Sequence, residues 1–289
     1  MLIIDALLGG LVLGGLYALI ATGLNLQYGV ARIMNLSYGE MVILGSFVAY
    51  GFSAQLEVSP LWGLAVIVPV AFVLSWLIYR YLMRPLVKRA PNLDALEADS
   101  ILATFGLLFV MQGLFFAIMG GNIFGYSYLA FPVEVFGTKL AANRSLAFVV
   151  AAVLAISLWL GMRYTRIGTA IRALAVDPVS AGLVAIDVPR YSALAFAAGG
   201  ALVAAAGVLV SMFLSFTAAG GVVFTLKALI VVIMGGVGNV LGGFIAALLL
   251  GLAESLGGYL IDPGLTLAIN FLIFMAVLLW RPKGLFGAR

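Results

Sequence analysis

Residues 163–190 read RYTRIGTAIRALAVDPVSAGLVAIDVPR, a polar island of about 28 residues between two apolar segments that are each long enough to cross a bilayer. Arg163, Arg166, Arg172 and Arg190 give it four cations in a chain only 9% charged, and the positive-inside rule puts such a segment on the cytoplasmic side. Its middle, Ile167 to Val176, consists of good helix formers with Ala170, Ile171, Leu174 and Ala175 at helical spacing, and Asp177-Pro178 stops it. A short helix held outside the membrane between two spans suits a docking element for a cytoplasmic partner. Charge and periodicity fit equally well a solvated loop that only sets topology.

Composition decides the class around that island. The chain is 65% hydrophobic with a mean hydropathy of +1.23, far above the roughly half-apolar content of soluble domains, and this defines an integral membrane protein. The net charge of +4 comes from arginines and lysines clustered in a few loops, so it reports orientation in the membrane and not nucleic-acid binding. The absence of cysteine removes thiolate nucleophiles, thiolate metal sites and disulfides. The start, Met1 to Asp5, lacks the basic n-region of a cleavable signal peptide, so the first apolar run is expected to remain as a membrane helix. The polar stretches are all too short to bury a core of their own.

In chain order, a first span is expected over Leu7–Gln27, where Gly10, Gly14 and Gly15 allow close helix packing in lipid. Arg32, Asn35, Ser37 and Glu40 interrupt the hydrophobicity before a second span, Met41–Gln55. A third, Leu61–Tyr81, carries Pro69 as a kink site and leads to Arg80, Arg84, Lys88 and Arg89, which make the following loop cytoplasmic. A fourth, Ser100–Met119, returns to an outer loop of aromatic and glycine character, Gly120–Arg144. Spans over Ser145–Gly161 and Tyr191–Phe213 flank the polar island. The next apolar run, Phe224–Met234, is about 11 residues, roughly 17 Å of helix, and cannot cross a hydrocarbon core of roughly 30 Å. Gly235 to Asn239 breaks it, Val240–Leu256 resumes, and an outer turn with Asp262 and Pro263 precedes a last span, Leu265–Trp280. Arg281, Lys283 and Arg289 put the C-terminal end in the cytoplasm. The expectation is an all-α polytopic membrane protein with eight to nine membrane segments, a broken or re-entrant helix pair among them, and the N-terminus outside.

The two interruptions, Asn35 to Glu40 and Gly235 to Asn239, sit in comparable surroundings in the two halves. Paired breaks of this kind mark the transport path in transporters built from repeats. The residues expected to border a path are Asn35, Ser37, Tyr38, Gly39 and Glu40 from the first break, and Gly235, Gly236, Gly238 and Asn239 from the second. The two are expected to meet at mid-membrane, where opposed helix ends offer donors and acceptors to a passing solute. The other reading is that the glycines only permit tight helix packing.

End to end, the chain resembles the membrane permeases of the branched-chain amino acid family of ABC importers. The likeness rests on Leu16–Ile20, Asn25–Gly29, Asn35-Leu-Ser-Tyr-Gly-Glu40, Arg84-Pro85, Gly168–Asp177, Leu226-Lys-Ala228, Gly235-Gly-Val-Gly238 and Arg281–Gly287. The family usually has His where Tyr38 stands, Gly where Ala185 stands, and Ser where Asn239 stands. The resemblance implies a single transmembrane permease domain over 1–289, in the cytoplasmic (inner) membrane of a bacterium or archaeon. It implies one half of a membrane pair, completed by a second permease, homologous or identical, fed by an external solute-binding protein and driven by two cytoplasmic ATPase subunits. Segment 163–190 then corresponds to the coupling segment: Gly168 starts its helix, Arg172 and Asp177 are polar surface contacts, Ala173 and Ala181 allow close approach to the ATPase, and Ile186 belongs to the same set. No cofactor is expected, because ATP is bound by the partners and this chain has no GxxxxGK[ST] loop. The chain is therefore expected not to be an enzyme.

Other function classes have weaker support. With no histidine there is neither a Ser-His dyad nor an HExxH zinc site for an intramembrane protease. A self-contained ion-coupled carrier or channel needs ionisable groups at membrane depth, and only Glu40, Lys227 and Glu254 qualify. Each has a structural reading as well: Glu40 capping or pairing inside the bundle, Lys227 snorkelling to the outer interface, and Glu254 lying near a helix end. The solute class implied by the resemblance is branched-chain or other small amino acids, with urea or amides carried by related members.

Overall fold

The computed structural model describes residues 2–135 and 138–287; Arg289, one of the cations read as a topology signal, lies outside them. Apolar runs of this length form helices because each backbone group can then be satisfied within its own segment. Among the described residues, seven helices are long and apolar enough to cross a membrane. They are α1 (Leu2–Ala31), α3 (Trp62–Ile78) running on into α4 (Arg84–Arg89), α5 (Leu93–Met119), α6 (Ala142–Tyr164), α9 (Val188–Ser211), α11 (Val240–Leu260) and α12 (Thr266–Trp280) with the short turn before it. Two shorter helices complete the bundle: α2 (Tyr38–Tyr50), prolonged by a wider turn through Gln55, and α10 (Gly221–Gly235). Between α6 and α9 lie α7 (Arg166–Val176) and α8 (Pro178–Leu183). The loop of aromatic and glycine character after α5 also holds a small antiparallel hairpin, β1 (Pro132–Val135) with β2 (Thr138–Ala141).

The hub is α9, packed on α1, α2 and α3 and buried along nearly its whole length. Its composition explains this, since alanines and glycines let neighbouring backbones approach closely. Gly23 of α1 faces Gly199, and the Gln27 Nε2 amide donates to the Phe196 carbonyl at 2.9 Å, so α1 and α9 run antiparallel. On its other side α1 packs against α11, where Gly10 and Gly14 lie on the backbone at Leu252 and Leu248. At one end of the bundle Phe47 and Tyr50 pack edge to face on Phe124 and Phe216, and Phe124 and Phe216, stacked on each other, exchange both backbone hydrogen bonds. This aromatic cluster ties the loop after α5 to the connection between α9 and α10.

Candidate translocation junction and coupling surface

After α1 the chain does not continue outward. Arg32 turns it with a φ of 52°, and residues 32–37 form an irregular link with a turn at Leu36 and Ser37 that leads to the start of α2. Backbone at this depth must find partners inside the protein, and it does. The Met34 N–H donates to Ser100 Oγ at 3.2 Å and the Leu36 N–H to Thr104 Oγ1 at 3.0 Å, both from α5. Asn35 is buried; its Oδ1 accepts from the N–H and Oγ of Ser37, and its Nδ2 donates to Gln27.

The chain does the same after α9. Residues 212–220 fold back past the aromatic cluster, and α10 starts at Gly221 against the start of α2. Thr225 Oγ1 accepts from the Gly39 N–H at 2.8 Å and bonds the Leu36 carbonyl at 3.1 Å, so a single hydroxyl joins the two helix starts. A side chain on Gly39 would overlap the Gly221 carbonyl, and one on Gly221 would overlap the Glu40 carboxylate. From Glu40 to the end of the α2 extension is about 22 Å of helix, and α10 adds about 21 Å. The two half-helices together are about as long as one bilayer with its headgroups is thick. Two helices with their N-termini together place two positive dipole ends in one spot, each about half an elementary charge. Glu40, fully buried, puts its carboxylate there, and neither oxygen has a hydrogen-bond partner among the described residues. It is neither paired nor a side-chain cap, and it lies beside the two helix starts.

The second expected break lies elsewhere. Gly235 to Asn239 is at the far end of α10, and the two breaks do not meet. Asn35–Glu40 is paired with the start of α10, whereas Gly235–Asn239 packs on the chain's own C-terminal segment and on α1. The Leu285 and Phe286 N–H groups donate to the carbonyls of Met234 and Gly235, and Asn239 caps α11 through the Gly242 N–H while donating to the Phe286 carbonyl. The Gly238 N–H donates to Asn25 Oδ1. The carbonyls expected to be free at this break are therefore filled by residues 285–286. Gly236 has φ 99° and lies against Gly287, which makes it a conformational glycine.

Tyr38 is fully buried, with its hydroxyl donating toward the carbonyls of Ile20 at 3.0 Å and Gly199 at 3.3 Å. It bridges α1 and α9 through the space that Gly23 leaves open. Lys227 does not snorkel, and Glu254 does not simply lie at a helix end. Lys227 Nζ meets Glu254 Oε1 at 2.6 Å and Tyr17 Oη at 2.7 Å, and Glu254 Oε2 accepts from Tyr17 and Asn270 at 3.0 Å each. This buried quartet fastens α10 to α1, α11 and α12.

At the bundle end that carries Arg80, Arg84, Lys88, Arg163, Arg172 and Arg190, α7 and α8 form a compact element. Thr165 caps α7 by accepting from the Gly168 N–H at 3.0 Å, and Gly168 lets α7 fold back against Met162. Asp177 ends α7 and caps α8, accepting from the N–H groups of Val179 at 2.9 Å and Ser180 at 3.3 Å and from the Ser180 hydroxyl. The Ser180 hydroxyl, followed by these backbone bonds, holds the exposed Asp177 carboxyl below the usual carboxylate range. Ala181 is buried and Ala173 half-buried; both pack inward with Ile186 against the ends of α1 and α9. The alanines thus face their own bundle. The residues that face outward are Val176 (86% exposed), Val179 (77%), Leu183 (84%) and Val184 (70%), beside exposed Arg172. The sequence reading passed over these four, although large apolar side chains flanking a predicted helix stop in a charged loop are themselves a docking signal. Ala185 holds φ 62°, the left-handed conformation that suits the glycine usual at this place in the resembled family.

Half-helices meeting inside a polytopic bundle, with an apolar-faced helix pair projecting from its basic end, define a membrane transport subunit. Residues 6–278 match the family described as branched-chain amino acid transport system, permease component, and the chain belongs to that family. It is 29% identical over 226 residues to the high-affinity branched-chain amino acid transport system permease protein LivH of Salmonella typhimurium, covering 73% of this chain and 71% of the relative. It is 28% identical over 305 residues to the corresponding protein BraD of Pseudomonas aeruginosa, covering 98% and 95%, and 27% identical over 216 residues to a probable LivH of Methanocaldococcus jannaschii, covering 74% and 68%. The solved structure of PsaBC from Streptococcus pneumoniae in complex with Fab shares the fold at a TM-score of 0.50 and 14% identity, over 96% of this chain and 91% of that one. The chain is thus the multi-pass inner-membrane permease subunit of an ABC importer and not an enzyme.

Proposed function

We propose that this permease forms half of the path for branched-chain or other small amino acids, and that the path runs beside the junction of α2 and α10. The observation that carries this is the back-to-back start of the two half-helices at Gly39, Glu40, Gly221 and Thr225, a polar point about half-way through the membrane. A zwitterion passing it meets a carboxylate suited to its ammonium and helix N-termini suited to its carboxylate. In this reading α2 and α10 are membrane segments in their own right, which gives nine. The basic end is cytoplasmic, the C-terminal segment lies there, and the N-terminus is outside. A second permease completes the path, an external binding protein delivers solute, and two ATPase subunits bind the surface of α7 and α8.

A self-contained ion-coupled carrier is not favoured. The family places the chain in an ABC system, and two of the three candidate groups, Lys227 and Glu254, neutralise each other.

The coupling surface is tested in the complete transporter with Val179→Asp and Arg172→Glu. The expected outcome is normal membrane insertion and expression with solute-stimulated ATP hydrolysis lost. Unchanged stimulation in Val179→Asp contradicts the assignment of this surface.

A further inference from the structure

A cavity of about 560 Å³ opens beside the coupling helix. Its floor is α1 at Thr22, Asn25 and Gly29, one wall is α6 at Ala155 and Trp159, and α7 closes the basic end with Ile171 and Arg172. The lining is apolar for most of its depth and cationic at its mouth, where Arg163 and Arg172 both stand. The Arg163 guanidinium lies 5.0 Å from the centre of the Trp159 ring, and Arg172 Nη2 points at the Arg163 carbonyl. Among the described residues the one ion pair is Lys227–Glu254, so neither arginine has a carboxylate partner.

These features belong to one ligand. A Trp-Arg pair at the end of a span marks the headgroup level of a bilayer, so the cavity mouth lies among phosphates and the apolar trough reaches into the acyl region. Basic pockets between membrane helices on the cytoplasmic side suit anionic lipid headgroups. We infer that the cavity between α1, α6 and α7 binds an anionic phospholipid, with its phosphate on Arg163 and Arg172 and an acyl chain along Leu26, Leu158 and Ala155. The lipid would be wedged under the helix that meets the ATPase, and its grip would set how firmly that helix is seated.

The test uses the complete transporter in nanodiscs containing equal parts of phosphatidylglycerol and phosphatidylcholine, with retained lipid read by native mass spectrometry. Phosphatidylglycerol is expected to be retained over phosphatidylcholine. Arg163→Gln should lower its occupancy about fivefold, the effect of one surface cation on an anionic lipid, while Arg163→Lys keeps it. Arg89→Gln, a cation at the same end but off the cavity, should leave occupancy unchanged. Ala155→Phe, which fills the trough without touching a charge, should displace the lipid. Equal retention of both lipids, full retention in both Arg163→Gln and Ala155→Phe, or cross-linking of Ala155→Cys to a second copy across the cavity would overturn the inference.

Discussion

The two interruptions of the apolar chain, Asn35–Glu40 and Gly235–Asn239, have comparable sequence surroundings and opposite physics. The first is buried, has its backbone satisfied by side chains of α5 and α10, and holds an unpartnered carboxylate where two helices begin. The second lies at the basic end of the bundle with Val237 and Gly238 exposed, its backbone is satisfied by the chain's own C-terminal segment, and its one polar residue, Asn239, acts as a cap. One is a point of changing polarity in the interior; the other is a turn. They occupy the two ends of α10, so that helix is where their difference can be measured.

Lys227, between them on α10, should show the largest effect. Removing one partner of a buried ion pair leaves an uncompensated charge, and Lys227→Met is expected to cost about 3–5 kcal/mol in thermal denaturation of the purified protein. Adding Glu254→Leu should restore much of it. A loss under ~1 kcal/mol in the single variant would mean that the quartet does not fasten α10.

A side chain should be far less tolerable at the first interruption than at the second. Gly221→Leu drives carbon into the Glu40 carboxylate and should cost about 3 kcal/mol through overpacking. Gly238→Ala meets nothing within 4 Å and has only its φ of 79° against it, so about 1 kcal/mol is expected. Comparable losses in circular-dichroism melts would remove the distinction between interior junction and surface turn.

The smallest effect is expected in the coupling element. Ala185→Gly relieves a left-handed backbone and should stabilise by about 1 kcal/mol or less, because glycine also gains freedom in the unfolded chain. Destabilisation in the same melts would show that the Ala185 side chain has a packing role.

Much of this was legible in the sequence. The bounds of α7 follow from its periodicity and from Asp177-Pro178, and the shortness of α10 from an apolar run that cannot cross a membrane. The counterpart of Asn35–Glu40 was not legible. It is Ser215–Gly221, a run of small and weakly polar residues around Phe216 that sits between two apolar segments like an ordinary turn. Only the packing of Phe216 on Phe47 and of Gly221 on Glu40 reveals that it returns to the interior. Those contacts join residues about 170–180 positions apart, and local pattern carries no information about them. The inward face of Ala181 was not legible for a related reason: a helix of six residues such as α8 has too few positions for periodicity to tell a buried face from an exposed one.

The claim that solute passes beside the interior junction can be tested directly, because the chain has no cysteine and a single introduced thiol reports alone. Ser37→Cys and Val237→Cys, one in each interruption, would be exposed to a membrane-impermeant methanethiosulfonate in the complete transporter with binding protein, with and without ATP. Ser37→Cys is expected to react only during turnover and to be protected by branched-chain amino acid, whereas Val237→Cys reacts in every state at a rate that solute does not change. Transport that proceeds with Ser37→Cys inert throughout, or solute protection at Val237→Cys in its place, would contradict the account.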